Sequence, residues 1–99
     1  MADFIVELPV LDASKAEKHL KAHIEFLDRL RESGVVLANG RFADGSGGLV
    51  IYRGESRESV QELVERDPFV ANGVRSYIIR EWLAKWGAGP SAARDLSGH

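Results

Sequence analysis

The sequence predicts an α+β fold in which four short strands and two helices follow one another as β-α-β-β-α-β. Two stretches, one running up to Glu32 and one from Ser56 to Arg66, set apolar residues at helical spacing among charged ones. Short β-rich segments precede, separate and follow them, bounded by proline and glycine. Where two β-rich segments meet directly, the joining ADGSGG contains Asp44-Gly45, a pair suited to the positive φ angles of a hairpin. This order matches the ferredoxin-like arrangement, a four-stranded antiparallel sheet with two helices on one face.

Asp3 to Leu8 alternates, with Phe4, Val6 and Leu8 on one side and Ile5 and Glu7 on the other, and Pro9 stops the strand. Asp12-Ala13-Ser14 starts the first helix, which runs to Glu32 and ends at Ser33-Gly34, where glycine can take the left-handed conformation. At about 100° per residue, Ala16, Leu20, Ile24, Leu27 and Leu30 form one stripe, and His23 falls inside it. Val35 to Phe42 and Leu49 to Arg53 are the second and third strands. Ser56 or Ser59 caps the second helix, whose buried side is Val60, Leu63 and Val64. Asp67 then caps a short turn opened by Pro68. In the last strand, VRSYIIREWL, Val74, Ser76 and Ile78 face one way and Tyr77 and Ile79 the other.

Ile5, Ile51 or Tyr52, and Tyr77 with Ile79 keep apolar groups on both sides of three strands, where a solvated face would turn polar. The expected cover is a second copy of the sheet, in a two-fold homodimer through the open face.

A chain of 99 residues that is 44% apolar has room for one core. The domain is expected over residues 1–86. Residues 87–99 are small and polar, broken by Gly87, Gly89 and Pro90, and form a tail that is flexible or packed on a partner subunit. Trp82 and Trp86 at its root, four apart, either lie on one side of a helical turn or, the favoured reading, simply plug gaps in the core or an interface. A net charge of −2 gives no electrostatic basis for binding nucleic acid or anionic lipid. The absence of cysteine excludes disulfides, thiolate metal sites and cysteine nucleophiles. With neither a basic leader nor an apolar run near the roughly 20 residues that span a bilayer, the protein is expected to be cytoplasmic, with small molecules or proteins as partners.

The catalytic inventory is small. His99 lies at the chain end. His19 and His23 are four apart on a helix, a spacing that can hold a metal, but no HExxH pattern accompanies them and no metal or cofactor is expected. His23 occupies a core-facing turn where leucine would pack better. There it is either a satisfied structural histidine or a base whose other ring nitrogen is fixed by a carboxylate, for which Asp67 is a candidate. Arg41, Arg53, Arg75 and Arg80 are strand charges able to meet an acidic group or to discourage edge pairing. Gly40 beside Arg41 marks a strand end or a close approach of ligand to backbone. DGSGG lacks the Gly-Lys-Ser/Thr of a phosphate loop, and no serine sits in a GxSxG elbow.

The stretches KAHIEFLDRLRESGVVLANGRF and DGSGGLVIYRGESRESVQELVERDPFVANGV, with the closing EW, resemble the YciI-like (YCII-related) family over roughly residues 3 to 86. The resemblance rests most on His23 with Gly34-Val35-Val36-Leu37, and on Asp67-Pro68-Phe69 followed by Gly73-Val74. It implies a dimeric α/β barrel. In that family the histidine and the motif aspartate are proposed as a His–Asp dyad in a pocket between sheet and helices, which here means His23 and Asp67. Many relatives carry Arg-Pro-x-His where this chain has Leu20-Lys21-Ala22-His23, and Gly-Pro where it has Gly40-Arg41. Some relatives eliminate halide from hydroxylated aromatic rings, and similar barrels host lactone isomerases and cofactor-free monooxygenases. The function so implied is metal-free proton transfer on a small oxygenated cyclic or aromatic substrate, with His23 as base or acid and Asp67 holding its tautomer; Arg41 and Ser76, which the resemblance does not assign, are taken as candidates to orient substrate. The alternative is a non-catalytic binding module in which the dyad is a buried polar clamp.

Overall fold

A computed structural model describes residues 1–87. Its elements are β1 (Ala2–Pro9), a single 3-10 turn (Ala13–Lys15), α1 (Ala16–Glu32), β2 (Val36–Arg41), β3 (Gly47–Gly54), α2 (Arg57–Arg66), α3 (Pro68–Ala71) and β4 (Ile78–Trp82). The strands form one antiparallel sheet in the order β2-β3-β1-β4. The order and sheet are those expected, with α3 as the short turn opened by Pro68. The expectations for the tail beyond Gly87, His99 included, lie outside the described residues.

Local chemistry sets the element ends. The Asp12 side chain accepts from the Ser14 amide and starts the 3-10 turn that leads into α1. Gly34, at φ +83, follows α1 in the left-handed conformation that a side chain resists. Ser56 and Ser59 form a reciprocal capping box on α2. In the hairpin between β2 and β3, Gly45 has positive φ and Asp44 does not; the Asp44 carboxylate instead accepts from the Ser46 amide.

Phe4, Val6 and Leu8 of β1, Val50 and Tyr52 of β3, Val36 and Ile79 line the helix-covered face, and Leu27, Val60 and Val64 close over them. Each such side chain removed from water contributes about 1.5–3 kcal/mol before entropy is charged against it. The opposite face carries Ile5 beside Ile51, with Leu49, Ile78 and Trp82 in neighbouring register positions. Of the residues expected on that open face, Ile5 and Ile51 are there. Tyr52 and Ile79 lie on the covered side.

Three further expectations need correction. The last strand begins at Ile78 and not at Val74, so the alternation does not run through: Val74 is buried and Ile78 is half exposed. Residues 83–87 form no helical turn, although the Trp82 and Trp86 rings still meet edge to face at 5.7 Å. On α1, Leu20 and Ile24 are 46% and 47% exposed, because the helix stands off the sheet at its N-terminal half and leaves a cavity.

Candidate functional site

The cavity, about 320 Å³, lies between α1 and the sheet. Leu8, Leu20, Ile24, Leu27, Leu49 and Val50 give it apolar walls, and its polar groups are His23, Asn39, Arg41 and Arg75. Such a volume sits at the lower end of small-molecule sites.

α1 presents His23 from its middle turn, 7% exposed, and Asp67 enters from the junction of α2 and α3, 1% exposed. His23 Nδ1 lies 2.7 Å from Asp67 Oδ1. An ionised carboxylate only accepts, so Nδ1 carries the hydrogen and Nε2 keeps its lone pair. Asp67 Oδ1 also accepts from the Phe69 amide at 2.9 Å. One oxygen therefore caps α3 and orients the imidazole. Pro68 at the first helical position holds the backbone φ that aims Asp67 inward. Asp67 Oδ2 is buried with no hydrogen-bond partner among the described residues.

Phe69 completes the constellation. Its ring stacks on His23 at 3.9 Å with the planes 3° apart, and the Arg75 guanidinium lies over it at 4.9 Å. Arg75 is held by its backbone: its amide donates to the Phe69 carbonyl at 3.0 Å, and it bridges to Val10 across the chain. Burial lowers the pKa of its guanidinium from the usual range, while the Asp67 charge pulls the other way. Burial, aided by the same charge, raises that of the Tyr52 phenol well above its usual value and keeps it neutral.

A bulge decides which β2 side chains reach the cavity. Val36 pairs with Tyr52 but Ala38 pairs with Ile51, so Leu37 is the extra residue. The slip puts Asn39 and Arg41, opposite Val50 and Gly48, on the helix side of the sheet, where both line the cavity. Arg31 ties Asn39 to α1, donating to its Oδ1 at 2.7 Å and to Asp28 at 2.6 Å.

Of the residues expected at a site, His23, Asp67 and Arg41 come together and Ser76 does not. Ser76 is exposed and absent from the cavity wall, with its amide donating to the Pro9 carbonyl. Residues 74–77 precede β4 as a connection stapled to the end of β1, and that path turns Arg75 to the cavity. Arg53 pairs with Asp3 at 2.8 Å and Arg80 lies exposed opposite Ile5. His19 is half-buried, and the described residues contain no group of three or more potential ligands placed to hold a metal. Also among the described residues, no helix is long and apolar enough to cross a membrane. Phe69 was not assigned to a site from the sequence, and Arg75 appeared only as one of four arginines able to meet an acidic group. The signal for Phe69 was present, in the motif it shares with Asp67; nothing in the sequence set Arg75 apart from Arg41, Arg53 and Arg80.

Two solved structures share the fold. One is 5-chloro-2-hydroxyhydroquinone dehydrochlorinase (TftG) from Burkholderia phenoliruptrix AC1100, in complex with 2,5-dihydroxybenzoquinone, with a TM-score of 0.68 and 21% identity over 90% of this chain and 97% of that one. The other is muconolactone isomerase, with a TM-score of 0.69 and 16% identity over 87% of this chain and 93% of that one. They place the fold among the dimeric α/β barrels. In sequence, the uncharacterized protein YjpA of Bacillus subtilis (strain 168) is 36% identical over 69 residues, 70% of this chain and 81% of that protein. The family model for the YCII-related domain matches residues 5–83, and the chain belongs to that family.

Proposed function

We propose that the protein is a small cofactor-independent enzyme that moves a proton on a small oxygenated cyclic or aromatic substrate, with His23 as the acid–base group and Asp67 as the residue that fixes its tautomer. The observation that carries this is the 2.7 Å contact between His23 Nδ1 and Asp67 at the wall of an apolar cavity. Nε2 takes a proton from a substrate C–H or O–H. The electron pair left behind either relocates, with the proton returned at another atom, or expels an anionic leaving group. Asp67 stabilises the imidazolium in between, and such a base supplies about 10²- to 10⁴-fold in rate. The two structural neighbours are, by name, a dehydrochlorinase and an isomerase, which supports a lyase or isomerase reaction.

The homodimer belongs to the same proposal. Ile5, Leu49, Ile51 and Ile78 line one uncovered face of the sheet, with Trp82 half exposed at its edge, and a second copy would bury them. Its cysteine-free composition fits a reducing, cytoplasmic setting.

A second reading is supported by Asp67 Oδ1 serving both the Phe69 amide and His23: the pair is then a polar clamp between α1 and α3 in a binding module without catalysis. A panel of single-ring hydroxylated and lactone compounds incubated with the protein in D2O, followed by proton NMR, separates the two. Exchange or turnover with wild type that is lost in His23→Asn supports the enzyme. Ligands that bind wild type and His23→Asn alike, with no exchange in either, support the clamp and overturn the enzyme.

A further inference from the structure

Among the arginines of the described residues, Arg75 is the one that is both partly buried and without a hydrogen-bonded oxygen. Arg31, Arg53 and Arg57 sit at the surface, where water would satisfy them, and each still finds an oxygen within 3.4 Å. Arg75 is partly buried in the cavity wall, and no hydrogen bond or ion pair engages its guanidinium among the described residues. The Phe69 ring lies under the guanidinium, and Asp67, whose Oδ1 serves His23 and the Phe69 amide and whose Oδ2 is buried without a partner among the described residues, makes no ion pair with it. A partly buried guanidinium whose N–H groups bond no protein oxygen favours an anion in the cavity as their acceptor.

A Cβ at Gly48 would stand 2.8 Å from both the Gly40 carbonyl oxygen and Arg75 Nη1, so the bare backbone there leaves room for β2 and for the guanidinium alike. The cavity has a one-sided charge as well: among the described residues Arg41 and Arg75 line it, and no aspartate or glutamate does. Its remaining walls are apolar, and its volume of about 320 Å³ suits a single ring.

Resting on the reading of this cavity as the reaction site, we infer that its substrate is a small, ring-sized carboxylate whose anion is received by the Arg75 guanidinium. A planar fork of N–H donors matches a carboxylate with two parallel hydrogen bonds, which a lysine could not do. The apolar walls take the ring, and His23 faces the same space to act on it. Arg41, exposed at the rim where water screens it, adds attraction during entry and little to the bound state.

Binding of benzoate and of its neutral counterpart benzamide, measured by calorimetry at pH 7 on the full chain, tests this. Wild type should bind benzoate at least ten-fold more tightly than benzamide. Arg75→Gln should lose about ten- to a hundred-fold in benzoate affinity and leave benzamide unchanged, as expected for removing a charge-assisted pair. Arg75→Lys, which keeps the charge without the fork, should fall between, and it guards against misfolding of the glutamine variant. Arg41→Gln should keep the preference. Benzoate and benzamide binding equally to wild type, neither binding, or a preference that survives Arg75→Gln or vanishes in Arg41→Gln would each overturn the assignment. His23→Asn should keep the benzoate preference while abolishing proton exchange, so failure of the acid–base chemistry and failure of the anion site give different results.

Discussion

α1 and α2 lie on the same face of the same sheet and meet it differently. α2 closes on it: Val60 and Val64 are 0% and 1% exposed, and Gly54 admits Val60 so closely that a Cβ there would stand 2.7 Å from Val60 Cγ2. α1 buries only Leu27 and His23 fully, with Phe26 and Leu30 packed partly against the core, while Leu20 and Ile24 overlook the cavity half exposed. One half of the covered face supplies rigidity and the other supplies room. What holds α1 in place where it lacks apolar contact is the polar bond from His23 to Asp67, on the segment that continues from α2.

The largest effect should come from cutting that bond. Asp67→Ala removes the α3 cap, worth about 1 kcal/mol, and strands a buried His23 N–H at about 1–3 kcal/mol. Urea unfolding should therefore show a loss of about 3 kcal/mol, with Asp67→Asn, which keeps an accepting oxygen, losing much less. A loss below about 1 kcal/mol would show that α1 is held by other means.

Next comes the closed half. Val60→Ala should cost about 2 kcal/mol, the sum of the lost transfer energy and of a cavity that the α2–sheet contact cannot close. Leu20→Ala and Ile24→Ala remove more atoms from α1 yet should cost under about 1 kcal/mol each, since both side chains already stand half in water. Equal losses on the two helices would break the contrast. If the small stability change comes with altered ligand binding, the contrast sharpens.

The smallest effect concerns how α2 is tied to the approach to β4. The Tyr77 hydroxyl donates to Glu65 at 2.6 Å, with Gln61 donating to both. Hydrogen bonding from Tyr77, then Gln61, lowers the pKa of the Glu65 carboxyl, and the bond to Glu65 raises that of the Tyr77 phenol. A lowered carboxyl contributes stability above its unfolded pKa, near 4.5, and loses it as pH falls through the folded value. A raised phenol contributes below its unfolded pKa, near 10, and loses it as pH rises through the folded value. Tyr77→Phe should thus lower the thermal midpoint slightly between those limits, a deficit that fades as pH falls through the folded value of Glu65. A deficit that persists in strong acid would trace to lost packing and not to this bond.

How much was legible follows from the range of each interaction. Asp67, Pro68 and a serine cap at Ser56 or Ser59 declared themselves because capping acts within three residues, which the sequence displays directly. Phe4, Val6 and Leu8 were readable because β1 is a regular strand throughout, whereas Val74 and Ile78 broke the alternation once residues 74–77 left the ladder. The pairing of His23 with Asp67 was suggested by resemblance; the residues alone left His23 open between a base and a structural group. Ser76 was named to orient substrate and Arg75 was not, and residues 74–77 do not keep the strand register that the sequence suggested for them.

By itself the sequence determined the order of elements, the caps of α2 and α3 and the buried side of α2, because each depends on periodicity or on contacts a few residues long. Only the tertiary structure decided that α1 stands away from the sheet, that a one-residue bulge at Leu37 turns Asn39 and Arg41 inward, and that Arg75 reaches the cavity through the space left by Gly48. Those outcomes depend on how distant segments share volume, and no local pattern encodes the shape of a space bounded by α1, α3 and two strands.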